Sequence, residues 1–484
     1  MNSLRLLTAI VLTAGLALAA QEAAKPEDSA LATDRQILVE IADHSEQMEN
    51  LHYLTDIIGA RLTGTEAAKR ANEWTAERFR NYGLSNVHLE GWTIAHSWTR
   101  GRAHVRVVAP TSKELAAEVA GWSPDTQGTV RGRLVYVPAR KAEDLEGYRG
   151  KLQNTIVITA EPTARQRVEE RPVQPREPRP EEDFEARRRF ADERDAFFRE
   201  QGVLGLLRDS DKSFGLFQMS TAGRDYQPAP LPTAYLTPEG YDLLWRLLQK
   251  EKEVELEMTL EGNQFSEGPV EVYNTVAELP GSEKPEEVVI LGAHLDSWDL
   301  ATGATDDGTG VSVVLEAARA LAKLGLRPKR TIRFVLFTGE EQGLNGSQAY
   351  VEAHKDELDK ISAVLVHDAG TGRVETLAMQ GNAQAYDAVK KAVAPLRQMI
   401  GLKELSLQSS SGSDHRSFDR RGVPGFFCSQ EHTTYAQTHH SQSDTYDKVV
   451  RDDVVNGAQV LAVFAYNIAQ LDSLLPRRPA EPSQ

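Results

Sequence analysis

The sequence predicts an α/β protein: a mostly parallel sheet covered by helices, interrupted by an inserted β-rich domain. Three observations predict it. From residue 272 onward, short continuous apolar runs alternate with segments whose apolar residues fall at helical spacing, the pattern of a parallel sheet between helices. Four successive apolar runs end in His, Asp or Glu, and in open α/β sheets sites assemble beyond the carboxyl ends of the strands. Between residues 122 and 262 that alternation stops, and short strand-like runs and turns replace it.

At 484 residues the chain exceeds one ordinary domain, and a hydrophobic content of 40% is enough for real cores. Lys and Arg total 55 against 71 Asp and Glu, a net charge of −16, which excludes non-specific nucleic-acid binding through a basic surface. Residues 2–5 are short and basic, residues 6–18 are apolar, and Ala17, Ala19 and Ala20 precede Gln21. That is the layout of a signal peptide over residues 1–20. The apolar run is shorter than the roughly 20 residues a membrane span needs. No later stretch reaches that length, and no Cys follows the small residues to take a lipid. The expectation is a secreted or periplasmic protein with no stable membrane insertion after cleavage. Cys428 is the only cysteine, so no internal disulfide can form, which suits a bacterial periplasm or exterior.

Taken in order, residues 21–34 are polar and rich in small residues, read as a disordered lead-in. Residues 36–82 carry apolar residues at helical spacing, broken at 58–65, and residues 87–92 and 103–108 read as strands. Residues 21–121 thus form the first part of the main domain. In the insertion, 122–262, residues 133–137, 155–159, 231–236 and 254–260 are strand-like, with a turn at 148–152. Residues 162–199 are dominated by Arg, Glu and Pro; Pro172, Pro175, Pro178 and Pro180 exclude helix from the first half, and residues 181–200 have the composition of a charged helix. Acids interleave the arginines throughout, so this is a solvated insertion and not a nucleic-acid arm. Residues 263–475 complete the main domain and 476–484 form a polar tail.

The chemistry lies at the strand ends. Residues 288–293 run into His294 and Asp296, then a Gly-rich turn with Asp306 and Asp307. Residues 331–337 run into Glu340 and Glu341, residues 361–366 into His367 and Asp368, and residues 423–428 into a loop with His432, Tyr435, His439, His440 and Asp444. A carboxylate bridging two divalent ions, each also held by a His and a carboxylate, makes a two-metal site that acidifies water and polarises a carbonyl. Adjacent glutamates divide the labour, one ligating and the other serving as general base. Nitrogen and oxygen ligands without thiolate suit zinc, or less selectively cobalt or manganese. Strand alternation turns His367 away from Asp368 and makes it structural. His354 and His415 are not ligands in this reading. Asp296 orients the His294 imidazole, and Asp307 is either a further ligand or an N-cap. Spacing does not separate His439 from His440.

The segments GAHLDSWD, GATDDG, FTGEEQG, HDAG, SGSDHRSF and YAQTHHSQSDTYD together resemble the M28 family of co-catalytic zinc exopeptidases. HLDSWD and TGEEQG are most similar to its carboxypeptidase Q branch. The resemblance spans about residues 42–467 and implies the zinc-exopeptidase fold, with a protease-associated domain at 122–262. It implies two zinc ions per subunit: His294 and Asp368 holding one ion each, Asp306 bridging, Glu341 ligating beside it and Glu340 as general acid/base. The His directly before Ser in HSQSDT matches the last ligand, which selects His440, with Asp444 in support. The peptide bond between Asp306 and Asp307 is expected to be cis, and a homodimer is implied. Some relatives carry Tyr just before the final His, where it helps stabilise the oxyanion; here that residue is His439, so the resemblance leaves either His439 or Tyr435 for the role.

The implied activity is hydrolysis of a terminal bond in a peptide or dipeptide by a metal-bridging water that Glu340 activates. Polarity, aminopeptidase against dipeptidase or carboxypeptidase, stays open. The alternatives are a related hydrolase of a non-peptide amide, a single-zinc glutaminyl cyclase, and a non-catalytic binding protein on the same scaffold. The presence of every ligand position argues against the last two.

Overall fold

The computed structural model describes residues 26–163, 181–251, 253–410, 412–431 and 434–478. The expected signal peptide at 1–20, most of the proline-rich half of the 162–199 insertion, His432 and residues 479–484 of the tail lie outside the described residues.

Seven strands form one sheet, in the spatial order Ser85–Ile94, Val270–Leu279, Arg330–Phe337, Lys284–His294, Ile361–Val366, Gly425–Gln430 and Val374–Ala378. The four strands from Arg330–Phe337 to Gly425–Gln430 run parallel. The outer strands are antiparallel to their neighbours. The central strands read as unbroken apolar runs because both sheet faces are covered: every residue of Ile361–Val366 is buried. Successive side chains alternate between two cores. Leu291, Phe334 and Leu365 pack with Val311 and Leu315 of helix Thr309–Lys323 and with Leu461 and Phe464 of helix Arg451–Ala469. Ile290, Val335 and Val364 face the other way, onto Tyr350 of helix Asn345–Ala353 and Phe418. The predicted fold class is observed.

Residues 26–34, read as part of a disordered lead-in, are instead the start of helix Pro26–His44. Ile37 and Ile41, one turn apart and fully buried, anchor that helix in the main core, and proline is well suited to a helix start. The helical reading of 36–82 holds, and the break at 58–65 separates a π-helical turn, Tyr53–Ile58, from helix Glu66–Asn81.

Eight strands form the second sheet, in the order Lys113–Leu115, Arg102–Ala109, Glu255–Glu261, Val130–Tyr136, Thr155–Ile158, Gly205–Asp209, Thr233–Leu236 and Ala117–Val119. Helices Glu181–Glu200 and Pro238–Lys250 accompany it. Its span begins before residue 122, because Arg102–Ala109 pairs antiparallel with Glu255–Glu261. That partner lies far along the sequence, so no local pattern announces it. Among the described residues no helix is long and apolar enough to cross a membrane.

Candidate metal centre

Parallel pairing brings the strand ends level. His294 is the last residue of its strand and lies opposite Phe337, while Gly292 lies opposite Val366. Two residues beyond Phe337, Gly339 turns the backbone with φ +83°, and a Cβ there would come within 2.7 Å of the Trp92 ring and 2.8 Å of the Tyr226 hydroxyl. Only glycine fits that turn, and it delivers Glu340 and Glu341 to the same edge as His294.

Asp306 sits at the centre. Its Oδ1 is 3.2 Å from Nε2 of His294, which is 3.5 Å from Oδ1 of Asp368. Its Oδ2 is 3.5 Å from Nε2 of His440 and 4.0 Å from Nε2 of His439. Nε2 of His440 in turn lies 2.7 Å from Oε2 of Glu341. Two groups of donor atoms, each mutually within 4.8 Å, share this one carboxylate: His294, Asp306 and Asp368; and Asp306, His439 and His440. Asp306 Oδ2 and both carboxylate oxygens of Glu341 are buried without a hydrogen-bond partner among the described residues. Buried polar atoms left this way call for an explanation, and a cation is the one this donor set suits.

The surrounding residues hold these donors in place. The expected cis peptide joins Asp306 to Asp307. Asp307 divides its carboxylate between the His294 amide, 3.2 Å, and the Gly310 amide, 2.9 Å, in the first turn of helix Thr309–Lys323. It works as a capping group that also latches the strand end. Asp444 accepts from the Thr305 amide at 2.6 Å, the Thr305 hydroxyl at 2.8 Å and the Asp306 amide at 3.2 Å. The His294 imidazole is oriented by Asp296, but through its backbone carbonyl, 2.9 Å from Nδ1; the carboxylate oxygen is 3.7 Å away. That carboxylate instead accepts from the Thr63 hydroxyl at 2.9 Å and faces the amides of Glu340 and Glu341 at 3.3 and 3.4 Å.

The largest supporting group was not legible in the sequence. Arg61, fully buried in the break between helices, donates to the carbonyls of Leu295 (2.7 Å), Thr302 (2.8 Å), Gly303 (2.8 Å) and Gly59 (3.1 Å). It thereby fixes the loop running from His294 to Asp306. Its only sequence signal is an arginine in the otherwise small and apolar run at 58–65.

Other sequence candidates stand apart. His367 is fully buried, neither ring nitrogen has a hydrogen-bond partner among the described residues, and it packs so closely on Gly457 that a Cβ there would lie 2.8 Å from Nε2. Burial holds its pKa down near 4. His354 stacks on Tyr350 and pairs with Glu90 at 2.9 Å, away from the centre. His415 is buried with Nε2 3.3 Å from the Ser410 carbonyl. Tyr435 packs against Gly370, two residues from Asp368, and His439 stacks on His440 with ring centroids 3.7 Å apart.

The electrostatics describe too many acids in one dry place. Burial, with Asp368 adding repulsion, pushes the carboxyls of Asp307 and Glu340 well above their usual range, and burial with Asp306 does the same to Glu341. Burial and Asp306 raise Asp444 to about 7. Burial acts against protonation of His294, but Asp368, Asp296 and Asp306 outweigh it and hold the imidazole pKa up. Burial lowers both His439, to about 4, and His440. Divalent cations would relieve this repulsion.

The second sheet reaches the same centre. His440 has a left-handed backbone, φ +55°, uncommon for a residue with a side chain, and its carbonyl accepts from the Met219 amide at 2.8 Å. Trp298, just past Asp296, lies edge-on to His440 at 6.0 Å and joins the core formed with Trp122 and Tyr226.

Known proteins share this sequence pattern and this fold. The model of peptidase family M28 matches residues 274–465. Carboxypeptidase Q from Bos taurus is 31% identical over 437 residues, covering 89% of this chain and 86% of that protein. The crystal structure of a peptidase M28 precursor from Shewanella amazonensis SB2B superposes with a TM-score of 0.77 at 28% identity, covering 94% of this chain and all of that one. An aminopeptidase from Aneurinibacillus sp. strain AM-1 shares the fold, with a TM-score of 0.65, 21% identity and 93% and 98% coverage.

Proposed function

The chain belongs to peptidase family M28 and is a metallopeptidase, and from that premise we propose that it is an exported dizinc exopeptidase acting on short peptides or dipeptides. One observation carries the reading: a single buried carboxylate, Asp306, is common to two clusters of histidine and acid donors. The resemblance gave His294 and Asp368 one ion each, but they lie together in one donor cluster with Asp306; in this reading those two would therefore hold one ion, Glu341 and His440 would hold the other, and Asp306 would serve both. His440 is preferred to His439 as ligand because it also meets Glu341. When bound, the ions would polarise the scissile carbonyl and acidify a water.

The protein's own groups do the rest. Glu340 takes a proton from the attacking water and returns it to the leaving amine. Its backbone is held by Asp296, so the base is positioned by the residue that also orients His294. Of the two oxyanion-donor candidates, Tyr435 is favoured: its phenol keeps its proton, while His439 lies flat on His440. The eight-stranded unit is the protease-associated domain in this reading, and the expected signal at 1–20 provides export.

The relatives' names point to both ends of a peptide, carboxypeptidase in one case and aminopeptidase in the other. One assay tests the function and its polarity together: an unblocked dipeptide beside its N-acetylated and C-amidated forms, with zinc and with a chelator. Loss on acetylation alone means the amino end is read; loss with either block means both ends are read. No cleavage with zinc present, or cleavage that survives chelation, refutes the proposal.

A further inference from the structure

The loop bearing His439 and His440 is gripped by the segment that follows strand Gly205–Asp209 of the second sheet. Besides the Met219 contact, the Phe217 amide donates to Oε1 of Gln442 at 2.8 Å, and Gln442 donates back to the Gly215 carbonyl at 3.0 Å. Those bonds need no charge. The sequence nevertheless places Lys212 here, only 9% exposed, its ammonium donating to the carbonyls of His439 at 2.8 Å and Ala436 at 2.9 Å.

An ammonium has three donors, and two neutral carbonyls leave one donor and the whole charge unmatched. Two other buried cations of the described structure face carboxylates: Arg319 meets Glu316 and Glu40, and Arg330 meets Glu287. Arg61 spends four donors on carbonyls. No carboxylate within ion-pair distance of Lys212 is found among the described residues. The acids acting on it from further off are Asp306 and Asp211, and Asp306 is already engaged by His294 and His440. A buried cation without a counter-charge is unfavourable unless an anion completes the site.

We propose that Lys212 is a specificity residue whose ammonium receives a carboxylate of the substrate, either the carboxylate that ends the peptide backbone or an acidic side group next to the scissile bond. The position fits: the ammonium is bonded to the carbonyl of His439, in the loop whose His440 faces Asp306, and its charge is felt by Asp306, His439 and His440. This inference rests on the peptidase reading. It also gives the second sheet a direct part in choosing substrates.

The test measures kcat/KM of the full-length enzyme with zinc on a dipeptide, its C-terminal amide, and an amide whose last residue is glutamate. Wild type is expected to prefer the carboxylate-bearing substrate over the plain amide by about 10- to 100-fold, the range of one charge-assisted hydrogen bond. K212Q keeps donors for the two carbonyls but no charge, and should bring that ratio to within about 3-fold of unity, mainly through KM. K212R should keep most of the preference. An advantage for the free acid assigns the terminal carboxylate, and an advantage for the glutamyl amide assigns the acidic side group. A wild-type ratio near one, or a ratio unchanged in K212Q whatever the overall rate, overturns the proposal and leaves Lys212 as a loop tether. Failure of wild type to cut any of the three overturns the peptidase reading and this inference with it.

Discussion

Replacing Arg61 by methionine removes a fork of donors while keeping most of the side group's volume. The four carbonyl bonds run from 2.7 to 3.1 Å. At about 1.5 kcal/mol each, the low end for a charged donor, they contribute roughly 6 kcal/mol. Against this stands the burial of the guanidinium, which lowers its pKa from 12.5 to about 10. At 1.36 kcal/mol per unit that opposes folding by about 3 kcal/mol. The net loss for Arg61→Met is therefore about 3 kcal/mol, concentrated in the loop of residues 295–303. Hydrogen exchange of that loop should accelerate by about 100-fold, and metal affinity should fall with it, because His294 and Asp306 flank the loop. Arg61→Lys should not rescue, since a lysine cannot span four carbonyls set around a planar fork. Unchanged exchange at 295–303 with a stability loss below about 1 kcal/mol would refute the reasoning, because those carbonyls would then have found other donors.

Three further outcomes are expected. Glu340→Gln should lower kcat by about 10²- to 10⁴-fold while elemental analysis finds normal metal content; lost metal would mean base and ligand have been confused. His440→Ala should weaken metal binding by about 100-fold or more in a chelator titration, and His439→Ala should retain the ions; the reverse result would exchange their roles. Asp34, 1% exposed with one carboxylate oxygen unpartnered among the described residues, has its pKa raised by burial to about 6. The folded state then binds more protons than the unfolded one, so this group's penalty is absent below about pH 4, grows as pH rises, and is complete above about pH 6. The ceiling is about 3 kcal/mol, and solvent screening reduces it to about 1. Asp34→Asn should raise stability by about that much at pH 8 and hardly at all at pH 4, as thermal melts at the two values would read; equal gains at both would sink the account.

What was legible in the sequence is what lies close along it. The parallel strands announce themselves because burial on both faces makes them continuously apolar, and the donors lie at each strand end or within about a dozen residues after it. His294, Asp306, Glu341, Asp368 and His440 meet in space because strand register makes their positions level. Residues that act through distant backbone were invisible. Arg61 bonds carbonyls more than two hundred residues away, and Lys212 does the same across a similar separation. Neither carries a motif, because a carbonyl oxygen is the same on every residue. Asp296 shows the intermediate case: its position beside His294 was readable, but not that its carbonyl faces the imidazole while its carboxylate serves Thr63 and the two glutamates. The second sheet's first strand was missed as a member for the same reason as Arg61, a partner too far away in sequence to be inferred locally.

The family model covers residues 274–465, yet strand Ser85–Ile94 lies along Val270–Leu279 and closes that flank of the seven-stranded sheet. A fragment trimmed to the matched residues would leave the rest of that strand as a bare border of amide and carbonyl groups, ready to pair with another copy of itself. It would also lack Arg61 and Thr63. The stretch that matches the family model is therefore smaller than the piece of polypeptide that closes this sheet flank and braces the centre, and anyone dissecting this protein would have to cut before residue 61.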